Sequence, residues 1–380
     1  TLLSLENILS VEASCNKIGQ SMMIPNKEGF VKDVRKFSPN VERFNRHPTD
    51  EVPFSSKDIE HFNFPYIQDG NVFLWESKNG VKMFMCIPEK IGSTAWKTLF
   101  SKYAAGLEPS AASHRFWHEN PSPFKGSALK ALNNPMVPRV VFTRDPIERF
   151  VSAYLDKIGR ACDPIAQQYL HISSKNGSIS TKYCSHMMGK FAGLPWDEST
   201  HPEVTLGRFI TMLRAKYEEG GYIGQCDGGD FNMTTDLVYQ HMPCHFLPQK
   251  QHCFREAKWD GSSRAMTFDY QLKVEEIGRW YAPLIRYLDL ETAASQGFQS
   301  YSGEQCFFKI KGVSCEQMLQ GEHSGSSASH DSHPTDARNF LRKYVGREDL
   351  KNMIKFLKED YNSLGNYATP TVESLLLGIS

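Results

Sequence analysis

The sequence predicts an α/β fold, a three-layer core in which a parallel sheet is flanked by helices. Two observations support this prediction. The chain has 380 residues, of which 40% are apolar and 23% charged, so it is long enough to bury a large core. Two strand–loop–helix units also follow one another within residues 81–158. Such alternation is typical of parallel sheets that have helices packed on them.

The first unit begins with a mostly apolar run at residues 81–87, which predicts a short buried strand. A polar turn follows the run. Beyond the turn, apolar side chains recur at helical spacing, namely Trp96, Leu99, Phe100 and Tyr103. Gly106 is the expected end of that helix. The segment is therefore predicted to be a strand, a tight loop and a helix.

The second unit begins with a β-rich run at residues 139–143. Asp145 is a good N-cap, and Pro146 suits the first helical position. The helix is predicted to have one apolar face, made by Ile147, Phe150, Val151, Tyr154, Leu155 and Ile158. Its opposite, polar face is predicted to carry Glu148, Arg149, Ser152 and Asp156.

The remaining chain divides by composition. Residues 1–70 contain no motif and are interpreted as an N-terminal extension, whereas residues 71–380 are interpreted as one domain. Helices are predicted around residues 206–217 and 350–361. Residues 321–336 are poor in apolar side chains and are predicted to form a mobile polar insertion.

Charge and cysteine content limit the partners and the compartment. The 43 basic and 43 acidic residues cancel, which excludes a global field that would recruit nucleic acid or membrane. No apolar run is long enough to span a bilayer. The chain begins at Thr1, so we expect that a targeting segment was removed. Nine cysteines and two glycosylation sequons, at residues 176–178 and 232–234, favour a disulfide-containing glycoprotein of the secretory pathway.

The turn after the first strand is predicted to bind an anion. It places Lys90 and Gly92 before a helix whose first amides and dipole attract an oxyanion, and Ser93 and Thr94 add hydroxyl donors. The lysine precedes the glycine, unlike in the nucleoside-triphosphate P-loop, and the pattern lacks the Lys-Ser/Thr pair that holds magnesium. A phosphate-type ligand handled without a metal is therefore expected. An ordinary strand–helix turn with a surface lysine is the alternative.

A second anion seat is predicted at the second unit. Arg144 lies where the strand ends, and Ser152 lies two turns into the helix, so the pair can bind another phosphate. The alternative is a capped helix whose Arg149 forms a surface ion pair with Glu148 or Asp156. Two anion seats on successive units predict a ligand with two separated anionic groups.

Residues 88–97 resemble the 5′-phosphosulfate loop of sulfotransferases that use 3′-phosphoadenosine 5′-phosphosulfate (PAPS), and residues 144–154 resemble their 3′-phosphate motif. Residues 245–249, with Cys253 and residues 268–270, resemble the segment beyond the cofactor site in the Golgi carbohydrate sulfotransferases of the HNK-1 and chondroitin 4-O type. The resemblance implies a P-loop-like core with irregular extensions. It also implies that residues 71–380 form a sulfotransferase domain.

The resemblance further implies transfer of a sulfuryl group from PAPS to a carbohydrate hydroxyl, which leaves adenosine 3′,5′-bisphosphate. Lys90 would contact the oxygen that bridges phosphate and sulfate. The 5′-phosphate would be held by the loop and the start of its helix, that is by Ile91, Gly92, Ser93, Thr94, Ala95 and Trp96. The 3′-phosphate would be held by residues of the second motif, Arg144, Arg149 and Ser152.

A histidine is the expected base for the acceptor hydroxyl, because its pKa lies near neutrality. His114 is the first candidate, since related enzymes place a histidine between the two phosphate motifs. His118 and His245 are the other two. A zinc cluster of Cys244, His245, His252 and Cys253 is an alternative, although the spacing is not a standard one and disulfides are favoured. No metal is expected.

The resemblance implies a Golgi-luminal enzyme, natively a type II membrane protein, with a glycan acceptor that can itself be anionic. Three competing functions are considered. One is a sulfotransferase for small alcohols or phenols, and another is a nucleotide or metabolite kinase. The third is a glycan-binding module whose anion seats only hold sulfate groups.

Overall fold

The computed structural model describes residues 72–77, 79–88, 90–105, 133–170, 205–220, 243–253, 256–259, 262–265, 267–300, 303–308, 313–320, 337–365 and 367–377. The predicted extension at residues 1–70 and the predicted insertion at residues 321–336 lie outside these ranges.

A mixed, mostly parallel sheet of four strands organises the fold. The strands of the described chain are β1 (Val72–Glu76), β2 (Lys82–Cys86), β3 (Arg139–Thr143), β4 (Glu256–Trp259), β5 (Ser262–Ala265), β6 (Tyr270–Lys273), β7 (Phe298–Ser300) and β8 (Gly303–Gln305). The sheet has the order β1-β2-β3-β6, in which β1 is antiparallel to β2, and β2, β3 and β6 are parallel. The loops that follow β2, β3 and β6 therefore leave the sheet at one edge.

Helices cover the sheet and build the rest of the fold. They are α1 (Ser93–Ala105), α2 (Pro146–Tyr154), α3 (Arg160–Cys162), α4 (Pro164–Tyr169), α5 (Leu206–Gly220), α6 (Gln249–Cys253), α7 (Ile277–Tyr287), α8 (Glu291–Ser295), α9 (Cys315–Gln320), α10 (Ala337–Tyr344), α11 (Arg347–Phe356), α12 (Lys358–Leu364) and α13 (Val372–Leu377). A π-helix, Leu155–Gly159, continues α2 directly. Short 3₁₀ helices lie at Pro243–Phe246 and Val274–Glu276.

The predicted strand–loop–helix units are confirmed. The strand at residues 139–143 has the expected bounds, and α1 spans the apolar repeat that begins with Trp96. Asp145 caps α2 by accepting a hydrogen bond from the backbone N–H of Glu148, and Pro146 is the first helical residue. The predicted helix near residues 350–361 is divided into α11 and α12. The α/β fold class is thus as predicted.

Two hydrophobic cores lie among the residues that the structure describes. The first packs alternate residues of the sheet, such as Met85 and Phe142, against α1 and α7, where Trp96 stacks on Trp280 at 6.5 Å between ring centroids. The second lies among α2, α5 and the C-terminal helices α10 to α13. Because neighbouring strand residues point to opposite faces, Cys86 points away from the first core. Its sulfur is bonded to Cys253 at the end of α6.

The predicted disulfides are present in the described chain. Cys86 pairs with Cys253, and Cys306 pairs with Cys315. Cys162 is disulfide-bonded as well. Among the described helices, none is long and apolar enough to cross a membrane.

Candidate functional site

The first loop turns sharply between β2 and α1. Lys90 has φ 68° and Gly92 has φ 91°, both in the left-handed region. The positive φ is unusual for a lysine, and such residues concentrate at functional sites. The backbone N–H of Trp96 donates to the Gly92 carbonyl at 3.0 Å, so α1 begins within the loop. No acidic residue occupies the first turn of α1, which leaves its positive end open to an anion.

The predicted loop residues divide into two groups. Ile91 and Trp96 are buried in the first core, so only their backbone can face a ligand. Gly92, Ser93 and Ala95 are largely buried at the start of α1. Thr94 is the second residue of the helix, and its side chain lies outside the described part of the chain. Binding by this loop would therefore use backbone amides rather than a row of exposed side chains.

Lys90 points its ammonium at the π-helix that continues α2. Its Nζ contacts the carboxylate of Asp156, and the two side chains are only 17% and 21% exposed. Asp156 also meets Lys157 Nζ at 3.2 Å and Arg160 Nη1 at 3.6 Å. One carboxylate therefore collects three cations beside the first loop.

The charged side chains of this cluster shift one another's pKa. Burial lowers the pKa of Lys90; Asp156 opposes that shift, and the charges of Lys157 and Arg144 add to it. Burial by itself would raise the pKa of Asp156, but the charges and hydrogen bonds of Lys90 and Lys157 outweigh it and lower the pKa to about 2. Asp156 is thus ionised throughout the neutral range.

Arg144 joins the second loop to the first. Its Nη1 donates to the Lys90 carbonyl at 3.3 Å, and its Nη2 lies 3.7 Å from Glu148 Oε2. The buried amide of Gln249 holds the Arg144 backbone from both sides: its Oε1 accepts from Arg144 N at 3.0 Å, and its Nε2 donates to Arg144 O at 2.8 Å. The structure therefore brings the predicted anion seats at Lys90 and Arg144 side by side.

The predicted exposure of Arg149 is wrong. The residue is fully buried, its Nη1 donates to the Leu247 carbonyl at 2.7 Å, and its Nη2 lies 3.1 Å from His252 Nε2. The segment around α6 covers this side of α2, so Arg149 is not a surface residue that could pair there with Asp156 or Glu148. Ser152 is half-buried one helical turn before Asp156, as expected of the polar face.

His245 lies beside the same cations. Its Nδ1 is buried and has no hydrogen-bond partner among the described residues. Burial lowers its pKa well below the usual range, and the positive charges of Lys157, Lys90, Arg149 and His252 lower it further. His245 is therefore a neutral imidazole at neutral pH. His114 and His118 lie outside the described residues.

Glu275 belongs to the site but was not predicted. It follows β6 at the same sheet edge, and its Oε1 accepts from the Asp145 backbone N–H at 2.7 Å. The Tyr367 hydroxyl donates to Glu275 Oε2 at 3.0 Å. Burial raises the pKa of Glu275. The carboxyl-edge rule for parallel sheets could have identified it, because it comes directly after a strand.

Asp360 anchors the segment that carries Gln249. Its carboxylate accepts from the backbone N–H groups of Gln249 and Lys250, both at 2.8 Å. Burial raises the pKa of Asp360 to about 6, although the Arg149 charge and these hydrogen bonds oppose the rise. Nothing in the sequence marks Asp360, because its partners lie more than a hundred residues away.

The zinc alternative loses one of its ligands. Cys253 is in a disulfide with Cys86, so it cannot act as a metal-binding thiolate. Over the described ranges, no group of three or more histidine, cysteine, aspartate or glutamate residues is arranged to hold a metal ion.

Comparison with known protein families gives a match. The family model described as "Sulfotransferase family" matches residues 75–282, which is more than half of the chain. The matched range contains both loops, His245, Gln249 and Glu275. No curated protein and no solved structure matches the chain.

Proposed function

The chain belongs to the sulfotransferase family, and from this premise we propose that it transfers a sulfuryl group from PAPS to a hydroxyl of a carbohydrate acceptor. The observation that carries the proposal is the contact of Arg144 with the Lys90 carbonyl at 3.3 Å, which joins two cationic loops at one sheet edge. A nucleotide that carries phosphates on both the 3′ and the 5′ oxygen of its ribose needs two anion-binding loops.

The groups of the site suit this nucleotide. The first amides of α1 would bind the 5′-phosphate, and Arg144 with Ser152 would bind the 3′-phosphate. PAPS supplies an activated sulfuryl group, whose S–O bond to the phosphate breaks as a new S–O bond to the acceptor oxygen forms. The Lys90 ammonium would stabilise the electron pair left on the phosphate oxygen. Arg149 is assigned to holding Leu247 and His252 rather than to the cofactor.

A base must take the proton of the acceptor hydroxyl. His245 is a candidate because its imidazole is neutral and lies near the Lys90 charge, although burial makes it a weaker base than an exposed histidine. His114 and His118 remain candidates through the family resemblance. His245→Gln is expected to lower kcat by about 100-fold or more if this histidine is the base, with little change in the binding of adenosine 3′,5′-bisphosphate.

We extend the proposal to the acceptor and the compartment. A glycan acceptor, which can itself be anionic, follows from the resemblance to the HNK-1 and chondroitin 4-O enzymes. Location in the Golgi lumen follows from the same resemblance, and the disulfides Cys86–Cys253 and Cys306–Cys315 fit an oxidising compartment.

The test has a binding part and a transfer part. Calorimetry measures the affinity for adenosine 3′,5′-bisphosphate of the wild type, Lys90→Ala and Arg144→Ala, and the exposed Lys351→Ala serves as the control. Each site variant is expected to lose about 10- to 150-fold in affinity, as for a charge-assisted hydrogen bond, and the control none. Transfer of labelled sulfate from PAPS is assayed on polysaccharides and on phenols. Unchanged affinity in both site variants, or a preference for Mg-ATP, would overturn the proposal; transfer only to phenols would overturn the glycan acceptor.

A further inference from the structure

The ion pair between Lys90 and Asp156 sets where the lysine ammonium lies. A lysine side chain has a flexible four-carbon stem, so an unpaired ammonium occupies many positions. Here Nζ contacts a carboxylate that is itself held by Lys157 at 3.2 Å and Arg160 at 3.6 Å. The carboxylate of Asp156 is therefore also held by contacts that do not involve Lys90.

The backbone around Asp156 is irregular in a way that serves this contact. The chain leaves α2 as a π-helix, Leu155–Gly159, whose wider turn changes the direction of the side chains it carries. The wide turn packs closely on α4, because a Cβ on Gly159 would lie 2.8 Å from the Ala166 Cβ. Packing thus holds the π-helix, and the π-helix holds Asp156 toward the first loop.

We infer that Asp156 is the positioning residue of Lys90, holding its ammonium at the sheet edge where the leaving phosphate oxygen of the donor would lie. The inference rests on the proposed function, in which Lys90 stabilises that oxygen. Asp156 acts through Lys90 rather than on the ligand. Its negative charge beside an anionic donor disfavours donor binding, so its benefit is confined to the transfer step.

The surroundings of Lys90 predict how its charge responds. Among the described residues, the charged or titratable groups that face it are Asp156 and Lys157 of the π-helix, Arg144 of the second loop and His245 of the 3₁₀ helix. Of these, only Asp156 is negative. Burial and the neighbouring cations lower the pKa of Lys90, and Asp156 is the group that raises it. Without this carboxylate, Lys90 loses its proton at a lower pH.

The test compares Asp156→Asn, which keeps the shape and removes the charge, with Asp156→Glu, which keeps the charge. In Asp156→Asn, kcat is expected to fall at least 10-fold. The alkaline limb of the kcat profile is expected to move about 1–3 pH units lower, the size of shift that one close opposite charge produces. Affinity for adenosine 3′,5′-bisphosphate stays equal or becomes tighter. Asp156→Glu is expected to keep a larger part of the wild-type kcat and to leave the alkaline limb closer to its wild-type pH.

A matched control is Glu348→Gln, which removes the exposed carboxylate partner of Lys351, 3.3 Å away, and should change neither kcat nor the limb. A second readout needs no turnover: pH-dependent acetylation of Lys90, followed by mass spectrometry, should begin at lower pH in Asp156→Asn. An unmoved limb or an unmoved acetylation profile would overturn the inference. Failure of the wild type to bind adenosine 3′,5′-bisphosphate would instead overturn the proposed function, and the acetylation profile would still test the ion pair.

Discussion

Replacing both Cys86 and Cys253 by alanine is expected to destabilise the fold and to weaken nucleotide binding together. The disulfide ties the end of β2, just before the Lys90 loop, to the end of α6. The same short helix begins with Gln249, whose amide holds the Arg144 backbone. Breaking the bond therefore removes a covalent constraint on the relative position of the Lys90 loop and the Arg144 loop.

The size of the effect follows from the length of chain that the bond closes. Cys86 and Cys253 are separated by 167 residues. In the chain-entropy treatment, a cross-link over such a loop contributes about 5 kcal/mol to the free energy of unfolding at 25 °C. The Cys306–Cys315 bond spans a separation of 9 residues and contributes about 2.5 kcal/mol on the same basis. The two double variants should therefore differ by about 2.5 kcal/mol.

Urea denaturation followed by tryptophan fluorescence measures both variants under identical conditions, and calorimetry measures their affinity for adenosine 3′,5′-bisphosphate. The variant lacking Cys306 and Cys315 serves as the control, because that bond joins the residue after β8 to the start of α9 and ties neither loop covalently. Equal losses of stability in the two variants would refute the loop-length reasoning. A folded Cys86/Cys253 variant with wild-type affinity would refute the link between the disulfide and the site.

Two further predictions concern the supports of the site. Gly159→Ala places a Cβ 2.8 Å from the Ala166 Cβ and should lower the free energy of unfolding by about 1–3 kcal/mol. Adding Ala166→Gly should restore part of the lost stability. A wild-type urea midpoint for Gly159→Ala would contradict this prediction. Burial raises the pKa of Asp360 to about 6 in the fold, against 3.8 for an ordinary aspartate, so the folded state takes up its proton first as the pH falls. The wild type should therefore gain up to about 3 kcal/mol relative to Asp360→Asn between pH 7 and pH 4, and a pH-independent difference in urea titrations would contradict it.

Local patterns predicted the parts of the site that depend on neighbouring residues. The strand at residues 139–143, the Asp145 cap and the tight turn at Lys90 each follow from a few consecutive side chains. The adjacency of the Lys90 and Arg144 loops also follows, because parallel strands end at one edge of a sheet. These features are local or topological, and a single sequence contains both kinds of information.

Features that depend on distant chain segments were not predicted. Arg149 was placed on a polar face, because the periodicity of α2 cannot indicate that the Leu247 carbonyl and His252 cover it. The π-helix that turns Asp156 toward Lys90 has no distinctive composition. Asp360 is an ordinary surface-like residue in the sequence, and only the fold shows that it holds the start of α6.

The hydrogen bonds of Tyr367 determine when, during synthesis of the chain, the packing around Thr143 and Glu275 can be completed. Its hydroxyl lies 3.3 Å from Thr143 Oγ1, a residue 224 positions earlier in the chain, and it donates to Glu275 beneath the second loop. At translation rates of about 5–20 residues per second, the ribosome needs about 10–45 s to travel from Thr143 to Tyr367. Until then Thr143 and Glu275 lack this hydroxyl contact, so the packing beneath the second loop should be completed only late in biosynthesis.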